Sequence, residues 1–426
     1  MSSKSTVQYF LFRQNCVKKM LAIILENSIL VSGGFMKFDF DTPIERDKSD
    51  SIKWKLLHKK FGYEDLLPLW VADMDFAIAP PIQAAIARRN QHPVYGYSLR
   101  PQTYYNSFTH WLQKRHNWQI EPNWILDVPG VVPAINFCIQ ALTNPDDKVL
   151  LFSPVYDPFF KAIKLNQRSL EVSNLYLENN EYRNEYRINF AELEEKLKQG
   201  IKMILFCSPH NPVGRVWQRD ELVKLANLAI KYQVLIVSDE IHFDLVFSPN
   251  KHIPLASLGS NIAQQTITLT SPGKTFNIAG LGGGFAVIPN KITFALLKNH
   301  LDKNALHLGN PLTTAAYQAA YQDGEEWLEA LLEYLYENYK FVKEECENLG
   351  IEVTNLQGTY LAWLNFSHFG LSQTHLEEII YKKAKLGLVS GTQYGSNGKG
   401  FMRLNFGCPR QYLQTALQRL KVIFPF

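Results

Sequence analysis

Lys274 follows an apolar, β-branched run in the stretch TITLTSPGKTFNIAGLGGGF, just past Ser-Pro-Gly. The run from Thr266 to Thr270 reads as a buried strand that empties into a tight turn. An amine there is either a solvated surface group or a pocket group. Burial disfavours the ammonium and lowers its pKa, which is the condition Schiff-base chemistry requires. Other strand-like runs end on residues of similar promise. Residues 202–207 lead to SPHNPVG, which puts Asn211 on a proline-punctuated turn, and 234–238 lead to DEIH, with Asp239 at the strand's end and His242 beyond it. Residues 148–152 lead to SPVYDPFF and Tyr156, and Gly130-Val131-Val132-Pro133 opens a helix whose free N–H groups can receive an anion. Each residue has a plain structural alternative: a helix cap for Asp239, a satisfied core histidine for His242, a turn former for Asn211, a packing ring for Tyr156. Their order along the chain, one group after each strand, is what favours a site.

In an open α/β sheet, ligands sit beyond the carboxyl ends of the strands. The elements that must position these groups are short β-rich runs at 148–152, 202–207, 234–238, 266–270 and 284–288, separated by helical patterns at 134–142, 158–165, 190–198 and 219–232. That alternation predicts a mostly parallel α/β sheet between Asp127 and Gly324. A long helix over 325–349 and strands over 360–364 and 401–405 then predict a smaller α+β domain, completed by the segment before Pro81. The expected division is 36–85 with 325–426 for the small domain and 86–324 for the large one. Pro68 to Phe76, PLWVADMDF, reads as a short strand turning into acids; Asp73 and Asp75 flank Met74 as a turn rather than a metal pair, because no histidine or third acid is near. Residues 1–35 read first as an extension outside the fold, then as an extra helix and, last, as a targeting segment. Their apolar patch is broken by Glu26, Asn27 and Ser28, unlike a signal peptide, and is too short to span a bilayer.

Composition narrows the class. The 426 residues are 46% hydrophobic, 13% aromatic and 20% charged, a balance that excludes disorder over most of the chain. A net charge of only +4, from 44 basic and 40 acidic residues, gives no footprint for nucleic acid or an anionic membrane. Five scattered cysteines without a CxxC predict a reduced, cytoplasmic protein with neither a disulfide framework nor a zinc site. Two nucleotide motifs fail on inspection: a P-loop ending in GKT needs glycine where Thr268 stands, and a dinucleotide fingerprint through Gly280 and Gly282 needs glycine at Phe285.

An amine, a carboxylate, an amide, an aromatic face and a helix N-terminus are together what pyridoxal phosphate requires. The stretches PLWVADMDF, YGYS, PGVVPAI, SPVYDPF, CSPHNPVGRVW, SDEIHFDL, SPGKTFNIAGL, TYLAW and MRLNFGCPR carry a resemblance over residues 38 to 426. The chain resembles the class I/II aminotransferase superfamily of fold-type I pyridoxal-phosphate enzymes, and within it the MalY/PatB-type cystathionine β-lyases. The resemblance implies a seven-stranded, mostly parallel sheet flanked by helices, and a homodimer acting on a small sulfur amino acid. It implies that Lys274 forms the imine and serves as base, Asp239 pairs with the ring nitrogen, Tyr156 stacks on the ring, and Asn211 and His242 lie near the ring oxygen. Val131, Val132 and Ser271 would take the phosphate, Tyr97 would reach in from the neighbouring subunit, and Arg403 would hold the substrate carboxylate, with Asn211 nearby. His242 stands where aminotransferases usually have tyrosine, and Gly282 where they usually have a phosphate-binding arginine. Both departures point to a lyase that eliminates a thiol, leaving pyruvate and ammonia. A transaminase on the same scaffold is the alternative, and a regulatory, protein-binding role beside catalysis has no sequence feature of its own.

Overall fold

The structure is a computed structural model of the chain and describes residues 38–180, 183–306 and 309–424. The expectation for residues 1–35 lies outside the described residues. Seven strands form the main sheet: β1 (Ile125–Val128), β2 (Lys148–Ser153), β3 (Ser169–Asn174), β4 (Ile201–Cys207), β5 (Leu235–Asp239), β6 (Thr266–Thr270) and β7 (Gly284–Val287). Their order is β1-β7-β6-β5-β4-β2-β3. The neighbours from β6 through β3 pair in parallel, while β7 runs antiparallel to both β1 and β6.

Successive side chains of a strand point to opposite faces, and helices cover both, so these runs are apolar throughout. Val149, Leu151, Met203 and Leu205 pack on one side, against α3 (Val131–Leu142) and α4 (Asp157–Leu165). Leu150, Phe152, Ile204 and Phe206 pack on the other, against α5 (Phe190–Leu197) and α6 (Arg219–Lys231). The remaining long helices are α1 (Pro80–Asn90), α2 (Gln102–His116), α7 (Lys291–Lys303), α8 (Pro311–Asp323), α9 (Glu325–Glu347) and α10 (Arg410–Ile423).

A second, antiparallel sheet takes the order β8-β9-β11-β10, from β8 (Glu352–Val353), β9 (Leu361–Asn365), β10 (Val389–Ser390) and β11 (Phe401–Asn405). It shares an apolar cluster with α9 and α10. The segment PLWVADMDF departs from its expected strand: only Leu67–Pro68 pairs, in parallel with Leu386–Gly387. Beyond Pro68 it is irregular and stitched to the second sheet, with Asn405 donating its N–H to Leu69 O at 2.9 Å and its Nδ2 to Asp73 O at 2.7 Å. The two aspartates are anchors. Arg46 reaches Asp73 and Asp75 at 2.6 Å each, and the fully buried Lys53 reaches Asp75 at 2.5 Å. No cluster of three metal-ligating side chains occurs among the described residues.

Candidate active site

Four chain segments deliver the chemistry to the carboxyl edge of the parallel strands. The turn after β4 carries Asn211, β5 ends on Asp239, β6 runs into the Ser271-capped turn Pro272–Thr275 that holds Lys274, and β1 leads through Gly130 into α3. Because β7 is antiparallel, the two residues that lead into it, Gly282 and Gly283, reach the same edge. Both glycines have left-handed backbone, with φ of 68° and 93°, a region costly for other residues. Together these segments enclose a cavity of about 250 Å³ lined by Val131, Val132, Tyr156, Asn211, Asp239, His242, Ser271 and Lys274. Eight of the ten residues expected from the sequence therefore meet in one place.

The amine of Lys274 donates to the carbonyl of Ala72, which also accepts the Tyr360 hydroxyl at 2.8 Å. Burial lowers the Lys274 pKa to about 8; Arg403 adds to the effect, and the carboxylates of Asp73 and Asp239 oppose it. Asp239 is pushed up to about 7 by burial, against the Ile241 N–H that it accepts at 3.1 Å and the nearby lysine. His242 is held down to about 3 by burial and by the cations of Lys274 and Arg403, so its ring is neutral, and its buried Nδ1 has no partner. Ser271 is tightly engaged: its Oγ meets Tyr317 Oη at 3.0 Å, Gly283 O at 3.1 Å and the Gly273 N–H at 3.1 Å.

Arg403, on β11, is only 3% exposed. One guanidinium nitrogen donates to Asn211 Oδ1 at 3.3 Å and another to the Trp70 carbonyl, while Nε is unpaired; the Tyr394 ring lies 5.3 Å from Cζ. No carboxylate pairs with it among the described residues, so a buried cation is left for an anionic group to neutralise. Tyr97 does not join. It is 94% exposed and stands with Tyr95, Gly96 and Ser98 beside Gly309 and Pro311.

Some contributors were not read from the sequence. Ala72 acts through a backbone carbonyl, which leaves no trace in residue type. Tyr317 lies on α8, a helix the sequence pattern did not separate, and Tyr360 was legible only as part of TYLAW. The buried carboxylate of Asp244 accepts from Thr275 Oγ1 at 2.9 Å, Trp111 Nε1 at 3.1 Å and, with the tautomer that allows it, His116 Nε2 at 2.8 Å. It thereby ties the turn that carries Lys274 to α2.

These residues fit pyridoxal phosphate. Asp239 is a buried carboxylate that lacks a full cationic partner, His242 keeps an unused ring nitrogen, and the first N–H groups of α3 have no acceptor within the helix. Residues 68–420 match the family model for aminotransferase class I and II. The chain belongs to that family. It is 39% identical over 388 residues to the cystathionine β-lyase PatB of Bacillus subtilis, which covers 90% of this chain and 99% of the relative. The structure resembles a pyridoxal-phosphate-bound putative aminotransferase from Clostridium difficile, with a TM-score of 0.88 and 42% identity over 90% of this chain and 99% of the other. It also resembles cystalysin from Treponema denticola, which contains pyridoxal 5′-phosphate, with a TM-score of 0.85 and 34% identity over 91% of this chain and 98% of the other. The family depends on pyridoxal phosphate, and the seven-stranded fold with one antiparallel strand is the one that the resemblance implied.

Proposed function

We propose that the chain is a pyridoxal-phosphate-dependent carbon–sulfur β-lyase that converts cystathionine or a related cysteine S-conjugate and water into a thiol, pyruvate and ammonia. The observation that carries it is a depressed lysine amine and a buried carboxylate lining one cavity, with a buried arginine that has no carboxylate partner among the described residues bonded to Asn211 of the cavity wall, in a chain whose relatives include a cystathionine β-lyase. Pyridoxal phosphate, when bound, would supply an aldehyde for the substrate amine and an electron-withdrawing ring.

The chain's own residues do the rest. Asp239 would hold the proton on the ring nitrogen, and the N–H groups of Val131 and Val132 with Ser271 would hold the phosphate. Tyr156 would cover one face of the ring, and His242 and Asn211 would hold its oxygen. Arg403 grips the substrate carboxylate and fixes the Cα–H bond, a positioning task. Lys274, neutral above about pH 8, takes the Cα proton with its Nζ as the C–S bond breaks and the thiolate leaves. In this reading the cofactor residues come from 86–324 and Arg403 from the smaller unit of 36–85 and 325–426.

A homodimer is part of the proposal. Tyr97 and Leu99, each 94% exposed, and Val94 and Tyr95, at 62% and 52%, form an apolar surface loop that a second copy would cover, bringing Tyr97 to the neighbouring site. A cytoplasmic setting is supported by four buried free cysteines, and among the described residues no helix is long and apolar enough to cross a membrane. The test is purified protein with cystathionine and no keto acid: pyruvate should accumulate in wild type and not in Lys274→Ala. Amino-group transfer to an added keto acid without pyruvate release from cystathionine would make it a transaminase instead.

A further inference from the structure

The rim beside Arg403 carries a second cation with no carboxylate of its own. Lys60 Nζ lies 3.0 Å from Gln393 Oε1 and 5.9 Å from the centre of the Trp70 ring. Both contacts lead directly to Arg403. Trp70 gives its carbonyl to the Arg403 guanidinium, and Gln393 precedes Tyr394, whose ring lies 5.3 Å from the Arg403 Cζ. Lys60 forms no ion pair among the described residues. Its ammonium is disfavoured by partial desolvation and by the charges of Lys161 and Arg403, and Asp157 is the one opposing acid that it faces. That acid is already paired with Lys161, in the first turn of α4 beside Tyr156. Among the described residues, Lys60, Lys161 and Arg403 thus set three positive charges against the one negative of Asp157, next in sequence to Tyr156 of the cavity wall. One surplus charge is answered by the substrate α-carboxylate on Arg403, and one remains.

We propose that Lys60 is a specificity-determining residue that receives a second carboxylate, at the far end of the sulfur substituent, so that the site favours S-conjugates whose leaving thiol is itself an acid. The inference rests on the lyase reading for its substrate frame. It adds a residue whose contribution depends on what the leaving group carries and not on the bond that breaks. The Trp70 ring lies 5.9 Å from the ammonium, and Gln393 occupies one of its three donors, leaving others for an incoming carboxylate oxygen. S-alkylcysteines present nothing there and gain nothing from it.

The test compares cystathionine with S-methylcysteine on the pyridoxal-phosphate-loaded wild type, Lys60→Ala and Lys60→Arg proteins. Lys60→Ala should lower kcat/KM for cystathionine by about tenfold, the scale of one partly exposed charge-assisted hydrogen bond, mainly through KM. For S-methylcysteine it should change by less than about twofold on the same scale. Lys60→Arg should restore most of the loss, which a merely structural change would not do. An equal fall for both substrates, or no fall for either, overturns the proposal. If wild type binds pyridoxal phosphate yet releases pyruvate from neither substrate, the lyase reading fails. The rim is then read by calorimetry with the same two compounds: a Lys60→Ala loss of affinity confined to cystathionine upholds it, and equal affinities overturn it.

Discussion

Asp239→Asn should stabilise the cofactor-free protein while weakening the loaded one. Burial raises the carboxyl from 3.8 to about 7, so the native state keeps a proton that the unfolded chain gives up between those pH values. The native state then binds more protons, and stability falls as pH rises through that window. At 1.36 kcal/mol per tenfold change in proton affinity, the full penalty above pH 7 is about 4 kcal/mol, with relaxation of the site lowering it to about 2 kcal/mol. Asparagine has nearly the same shape, carries no charge, and keeps an oxygen for the Ile241 N–H that Asp239 accepts at 3.1 Å. Urea unfolding of cofactor-free wild type and variant at pH 8 should therefore favour the variant by about 2–4 kcal/mol, and at pH 4 the two should coincide. Adding pyridoxal phosphate should reverse the order, because only the carboxylate gains a protonated ring nitrogen as partner. A variant that is no more stable than wild type at pH 8, or an advantage that persists at pH 4, would refute the claim that Asp239 is stored unfavourably for the cofactor.

Three further outcomes follow from the same geometry. The rate at which cofactor-free protein captures pyridoxal phosphate should rise with pH as the Lys274 amine loses its proton, and stopped-flow absorbance should place the midpoint at about 8 and not near 10.5. Arg403→Lys should raise KM by about tenfold or more with a smaller change in kcat, since a lysine cannot fork onto a carboxylate; an unchanged KM would remove Arg403 from the substrate. Asp75→Ala should cost about 3–5 kcal/mol, because it leaves the buried Lys53 without its 2.5 Å partner, and chemical denaturation that shows a loss below 1 kcal/mol, about the worth of a surface pair, would contradict that role.

The main sheet was legible where burial on both faces forced continuous apolar runs. Thr266–Thr270 matches its expected range residue for residue, and β2, β4, β5 and β7 differ only at their ends. The strands that escaped are those without that signature. β1 reads ILDV with a polar Asp127, and β3 is an edge strand reading SLEVSN, partly exposed along most of its length. Site residues that follow strands could be found because the chemistry sits at strand ends. Ala72 could not, since its role is a carbonyl on an irregular segment that looked like a strand. Tyr97 was visible as an aromatic held out from the chain, yet nothing within one chain brings it to the cavity.

Lys274 rests against the backbone of a segment that ion pairs hold in place, and so its acceptor cannot be edited by replacing a side chain. Arg46 and Lys53, both remote in sequence from the lysine, clamp Asp73 and Asp75, and the clamp fixes where the Ala72 oxygen lies. The resting posture of the reactive amine is thereby written into Arg46 and Lys53, more than two hundred residues away along the chain. Loosening that clamp would retune the lysine from a distance, a hereditary lever on reactivity that leaves every residue touching the substrate unchanged.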